Sequence, residues 1–146
     1  MNAHYGFKAE CLRRLGADAG AQFWEMCNCL FDLLPLAALV EGKILVLHGG
    51  LGASLNHVEQ LQALQRPIVN GQSSEEPLGQ LLRDTLWSDP TSSDEVLGTH
   101  PSPRGTGIAL FGPDRVEAFC EANDLDVVVR KEGVREGGRG KVVCVW

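Results

Sequence analysis

The sequence predicts an α/β fold with α+β layering, and three observations carry that prediction. Apolar residues at helical spacing recur from Phe7 to Leu15, from Ala21 to Leu34 and from Pro113 to Asn123. Short β-branched runs, Lys43 to Leu47 and Asp126 to Val129, alternate with them as strands. The chain has 146 residues, room for one domain and hardly two, with 44% hydrophobic and 22% charged residues, an ordinary balance for a packed protein.

Each element has its own local reason. Phe7, Cys11 and Leu15 sit at i, i+4 and i+8 and predict a first helix. Phe23, Met26, Cys27, Leu30, Phe31 and Leu34 form the apolar stripe of a second, which Pro35 ends or bends. Glu41-Gly42 reads as a turn, and the strand after it is expected to be buried. It stops at the loop His48-Gly49-Gly50. Asn56 to Leu64 predicts a short helix, Pro67 to Pro77 a polar loop, and Leu78 to Leu86 a helical turn presenting Leu81, Leu82 and Leu86. Ser88 to Arg104 carries Pro90, Pro101 and Pro103 and reads as a long irregular loop, a type of segment that is often functional. Ile108 to Phe111 predicts a strand. Pro113 opens a helix that places Val116, Phe119 and Cys120 on one face. The Gly-rich tail from Lys131 to Lys141 is followed by a last strand, Val142 to Trp146. No internal repeat or domain boundary stands out.

Composition narrows the function classes. Thirteen Lys and Arg against 19 Asp and Glu leave a formal net charge of −6, which argues against nucleic-acid or anionic-membrane partners, because phosphate backbones demand clustered positive charge. The five cysteines, Cys11, Cys27, Cys29, Cys120 and Cys144, are odd in number and form no C-x-x-C pair. A reducing compartment, cytosolic or nuclear, fits them better than a disulfide framework. Cys27 and Cys29 are expected to be core thiols. No targeting segment is visible, and the most apolar stretch, Cys29 to Val40, holds Asp32 and Pro35 and falls short of the ~20 residues of a membrane span.

A few residues are placed for chemistry. His48 follows a strand and precedes two glycines, so its imidazole can reach into a cleft as a metal ligand, or serve simply as a turn histidine capping the strand. Arg104, in Pro103-Arg104-Gly105, suits bidentate contact with phosphate or carboxylate, or pairing in solvent with a nearby Asp. In Trp87-Ser88-Asp89-Pro90 the Trp is expected to anchor the loop by burial. Asp89 there either orients a catalytic base or metal-bound water, or caps a turn. His4, His57 and His100 have no ligand-like spacing to one another. Gly137-Gly138-Arg139-Gly140 resembles a phosphate loop only loosely, lacking G-K-[ST].

Taken together, several strings carry a family resemblance. They are Tyr5-Gly6-Phe7 with Glu10-Cys11, Leu34-Pro35-Leu36-Ala37-Ala38-Leu39, Leu47-His48-Gly49-Gly50-Leu51, Leu86-Trp87-Ser88-Asp89-Pro90 and Arg104-Gly105. In this order and spacing the chain resembles the catalytic domain of the PPP family of serine/threonine protein phosphatases, from its first residues to about Arg130. Leu55 to Gln60, Gln65 to Ile68 and Phe111 to Val116 resemble the kelch-repeat phosphatases of plants and some protists.

The resemblance implies a partial metallophosphatase β-sandwich flanked by helices, with residues 1–130 as the C-terminal part of the catalytic domain and 131–146 as a divergent tail. It implies hydrolysis of phosphoserine and phosphothreonine esters in protein substrates, regulatory protein partners, and a dinuclear divalent metal centre of Mn, Fe or Zn type, in an intracellular signalling setting. His48 matches a metal-ligating His, Arg104 a phosphate-binding Arg, Asp89 a residue near the metals, and Arg130 the Arg of the family's Arg-Ala-His-Glu motif, which also contacts phosphate.

The departures weigh equally. The family's Gly-Asp-x-His-Gly, Gly-Asp-x-Val-Asp-Arg-Gly and Gly-Asn-His-Glu motifs have no counterpart in these residues, and with the last of them goes the general-acid His. The Arg-Ala-His-Glu position reads Arg130-Lys131-Glu132-Gly133, so of the family's metal ligands His48 alone is retained. One imidazole does not hold two divalent cations. The expectation is a hydrolase segment that is inactive alone. The alternative is a non-catalytic pseudophosphatase or protein-binding module. Strands pairing with Ile44 to Leu47 and Asp126 to Val129 are expected to be missing, leaving open sheet edges and exposed apolar faces.

Overall fold

The structure is a computed structural model, and it describes residues 2–68, 77–131 and 142–144. Most of the stretch read as a polar loop after Pro67, and the Gly-rich tail with its loose phosphate-loop likeness, lie outside the described residues. The chain divides into two compact units, Met1–Leu34 with Gln65–Gln72, and Pro35–Leu64 with Ser73–Trp146. No helix among the described residues is long and apolar enough to cross a membrane.

The first unit is a pair of helices, α1 (Phe7–Leu15) and α2 (Ala17–Phe31). Gly16 separates them, so α2 starts earlier than the apolar stripe alone predicts. Each helix buries one residue, Cys11 and Gly20. Two helices alone cannot cover the predicted stripe: Met26 is 70% exposed, and Phe23, Leu30, Phe31 and Leu34 are also open. The expectation of core thiols fails here for the same reason, since Cys27 is half-buried and Cys29 exposed. Polar pinning holds the unit's start. Trp24 donates its indole N–H to Asn2 at 2.8 Å, and Asn2 donates to Asn28 at 2.7 Å. The returning segment closes on the end of α2, Ile68 N–H donating to the Asp32 carbonyl at 2.9 Å.

The second unit holds two sheets. In the first, β1 (Ala37–Val40), β2 (Ile44–Leu47), β6 (Val127–Arg130) and β7 (Val142–Cys144) lie in the order β1-β2-β6-β7. β1 was not legible as a strand. Its Ala-Ala-Leu-Val is a weak strand former, recruited by β2 through a hairpin whose Glu41 and Gly42 take φ of 51° and 67°. The expectation that β2 and β6 lack neighbours is corrected. They pair with each other in parallel, Ile44 opposite Val127 and Leu47 opposite Arg130, and each has a second partner. β2 is also not wholly buried: Leu45 and Leu47 face the core while Val46, between them, is 36% exposed.

The second sheet has the order β3-β5-β4, from β3 (Asp89–Pro90), β4 (Thr99–Pro101) and β5 (Ala109–Phe111). The stretch read as one irregular loop therefore contains two edge strands. Both include a proline, which an edge tolerates because its N–H side needs no ladder partner. Among the described residues three helices complete the unit: α3 (Glu59–Gln62), shorter than expected, α4 (Leu78–Trp87) and α5 (Pro113–Ala122). Leu45, Leu47 and Val128 of the first sheet, Phe111 of the second, and Val116, Phe119 and Cys120 of α5 share one core. This mixed arrangement matches the layered α/β fold expected.

Candidate functional site

The site forms where β2 and β6 end side by side. Because they run parallel with Leu47 opposite Arg130, the backbone leaves β2 toward His48 beside Arg130. The corner His48-Gly49-Gly50 then docks on the last turn of α4: Gly49 N–H donates to the Thr85 carbonyl at 2.9 Å and Gly50 N–H to the Asp84 carbonyl at 3.3 Å. A Cβ at Gly49 would overlap the backbone of Leu86 and Trp87, so only glycine admits this approach. α4 ends at Trp87, two residues before Asp89, and Ser88 N–H bonds back to the Asp84 carbonyl at 3.3 Å. The strand-end corner and Trp87-Ser88-Asp89-Pro90 are thus fixed to the same helix end.

Three of the four residues singled out in the sequence meet directly. Asp89 Oδ2 accepts from Arg104 Nη1 at 2.9 Å, and Asp89 Oδ1 accepts from Arg130 Nη2 at 2.7 Å. The Arg130 side chain is 2% exposed, Asp89 23% and Arg104 43%. Among the described residues Arg130 Nε and Nη1 are buried without a hydrogen-bond partner. The Arg104 guanidinium also lies over the Trp87 ring, 5.6 Å from its centroid, so the half-buried Trp87 serves as a platform rather than a buried anchor. Both readings of Arg104 thus meet at one place, a carboxylate partner on one side and N–H donors still exposed on the other. Asp89 bridges two guanidiniums. His48 is exposed at the end of β2.

Electrostatically the cluster is unbalanced. Among the described residues two guanidiniums share one carboxylate, leaving an excess positive charge in a partly buried place. Buried charged donors without acceptors cost more than the ~1–3 kcal/mol of a neutral group. An oxyanion satisfies both the charge and the donors.

A divalent metal pair fits these residues poorly. No group of three His, Cys, Asp or Glu comes together among the described residues. Both Asp89 oxygens are engaged by arginines. His100, exposed, has Nε2 at 2.7 Å from the Leu97 carbonyl. The described residues therefore provide two guanidiniums on one carboxylate and one lone imidazole.

Residues not singled out in the sequence hold the corner in place. Asp84, fully buried in α4, accepts from Ser54 N–H at 2.7 Å, Ser54 Oγ at 2.6 Å and Gln80 Nε2 at 2.8 Å. Arg115 of α5 donates to the Gly52 carbonyl at 3.2 Å and to the Leu55 carbonyl. Burial lowers the Arg115 pKa from its usual value, and the nearby charges of Asp84 and Asp114 oppose that shift. The signal was available: Asp84 and Thr85 sit three and four residues after Leu81, polar groups on the stripe the helix buries.

Comparison with known proteins identifies the family. A family model described as calcineurin-like phosphoesterase matches residues 4–130. Serine/threonine-protein phosphatase BSL2 of Arabidopsis thaliana is 49% identical over 130 residues, which is 89% of this chain and 12% of the relative. A solved protein serine/threonine phosphatase from Saccharomyces cerevisiae, described as similar to human phosphatase PP5, superposes with a TM-score of 0.76 at 29% identity, covering 97% of this chain and 42% of that one. The chain thus spans less than half the length of either. With the match running from residue 4 to Arg130, the last residue of the arginine cluster, the chain belongs to the calcineurin-like phosphoesterase family.

Proposed function

We propose that this chain is the phosphate-gripping part of a serine/threonine phosphoprotein phosphatase, acting on phosphoserine and phosphothreonine in proteins. The observation that carries the proposal is the excess positive charge of the Arg104–Asp89–Arg130 cluster, with Arg130 N–H groups left without acceptors. A phosphomonoester supplies the missing negative charge and acceptor oxygens. The names of the Arabidopsis and yeast relatives support the reaction class.

In this reading Arg104 and Arg130 bind and orient the phosphoryl group, and Asp89 keeps the two guanidiniums apart and aimed. His48 is a metal-ligand position whose imidazole suits Mn, Fe or Zn. Because the described residues do not complete a metal pair, hydrolysis is a property of an assembled phosphatase domain, and this chain alone does not turn over substrate. Regulatory proteins and a kelch-type signalling context are part of the same reading. A cytosolic or nuclear setting belongs to the same reading, supported by an odd count of five cysteines with no C-x-x-C pair.

The test is titration of a phosphoserine peptide into the 146-residue chain with chelator present. Binding is expected in the millimolar range, about −4 kcal/mol, and is weakened at least about tenfold by Arg130→Gln. With Mn²⁺ replacing the chelator, phosphate release should stay at background. Equal binding by the parent and Arg130→Gln chains overturns the proposal.

A further inference from the structure

The mechanism above makes no use of one buried ionisable side chain, Asp84, which is 0% exposed. Three donors converge on its carboxyl group: the backbone N–H and hydroxyl of Ser54, and the side-chain amide of Gln80. A Cβ at Gly52 would overlap the same carboxyl, so the loop after His48 is shaped to lie directly on it. The carbonyl of Asp84 accepts from Gly50 N–H, two residues after His48, and from Ser88 N–H, the residue before Asp89. From the other side, Arg115 holds the carbonyls of Gly52 and Leu55 and the side chain of Asn56, at 3.1 Å in the last case. The loop between Gly50 and Asn56 is therefore stapled by its N–H groups to α4 and by its carbonyls to α5.

We propose that Asp84 is the positioning residue of the His48 corner: by holding Ser54 and seating Gly52 on α4, its carboxylate sets where the imidazole stands beside the arginine cluster. The proposal rests on the reading of His48 and the cluster as one site. A carboxylate suits this task better than any other side chain of its size, because all three neighbours are donors and it offers only acceptors. A residue that acts through a ligand rather than on substrate typically changes site properties by roughly 10–100-fold when it is replaced.

The experiment uses the 146-residue chain and reads the Cε1–H signal of the His48 ring by NMR. Asp84→Asn keeps the volume but points an NH₂ donor at one of the three donors, so the His48 signal should shift or broaden. Leu125→Ala is the stability control. Leu125 is buried, 3% exposed, next to Asp126, whose N–H bonds Lys43 at the opposite end of β2 from His48. It should lower the melting temperature and leave the His48 signal in place. An unmoved His48 signal in Asp84→Asn overturns the proposal, as does an equal shift in Leu125→Ala. If Asp84→Asn does not fold, Ser54→Ala removes the hydroxyl from the other end of the same contact and is read identically. Phosphopeptide binding is measured alongside. Its absence in the parent chain would sink the phosphate-site reading, while the His48 signal still decides the role of Asp84.

Discussion

Asp89 does three things with one carboxylate: it bridges two arginines, separates their charges, and ties β3 to the end of β6. Its removal has a predictable consequence. Arg130 is 2% exposed, and without Asp89 it is a buried cation with no anion. Breaking such a pair from one side costs about 3–5 kcal/mol. Asp89→Ala should therefore lower stability by that order in a urea titration. Added inorganic phosphate should restore part of the loss, because an anion that binds only the folded chain stabilises it by mass action. A stability independent of phosphate in Asp89→Ala would show that the arginine pair does not take an oxyanion.

At the scale of elements, α1 carries a small pH response, an exposed ion pair being screened by water. Glu10 accepts from Arg13 and Arg14, its neighbours at i+3 and i+4, with Arg13 Nε at 2.9 Å. These hydrogen bonds lower the Glu10 pKa from 4.5 to about 2. A carboxyl group whose pKa falls on folding contributes stability above its unfolded pKa and loses it as pH falls toward its folded one. Helicity of the first unit should hold down to pH 4.5 and fall between there and about 2, and Glu10→Gln should remove that step from the circular-dichroism titration. A step unchanged in Glu10→Gln would assign it to another carboxyl group, for instance Asp124, whose pKa is lowered by Lys43. The elements that local reasoning missed share one cause. β1, β3 and β4 are edge strands of two to four residues, with Ala or Pro in them, and their ladders are supplied by β2 and β5 rather than by their own propensity.

Large apolar side chains lie exposed in both units among the described residues. Met26, Leu30, Leu33 and Leu34 in the first unit are each about half exposed or more, at 70%, 56%, 54% and 48%. In the second, Leu39, Val40 and Val46 leave one side of the β1–β2 hairpin open, at 41%, 44% and 36%. Such surfaces associate in water. The isolated chain is expected to elute in light scattering as a concentration-dependent mixture and to melt broadly. A monomer with one sharp, cooperative transition would contradict that expectation. The same open faces are consistent with a chain that spans 12% of its Arabidopsis relative and 42% of the yeast structure.

Local spacing was enough to read α1, α4, α5, β2 and β6, because helical and strand periods are written over a few successive residues. It was also enough to single out His48, Asp89 and Arg104, since a His before Gly-Gly, a Trp-Ser-Asp-Pro string and a Gly-flanked Arg are local patterns, whereas Arg130 was singled out by the family resemblance alone. What those residues do to one another was not legible. Asp89 reaches Arg104 across 15 positions and Arg130 across 41, and Asp84 reaches Ser54 across 30. Contacts between residues so far apart are decided by which sheet edges meet and which helix end lies beneath them. The same holds for the solvent-facing stripe of α2: its period states that a helix forms, but burial depends on whether another element covers it, and among the described residues α1 covers only the face around Gly20. The sequence by itself determined the elements whose period is local, the family, and the candidate chemical groups. Tertiary structure alone decided their pairing, their burial and the excess charge of the cluster, because each of these is a property of the space between segments.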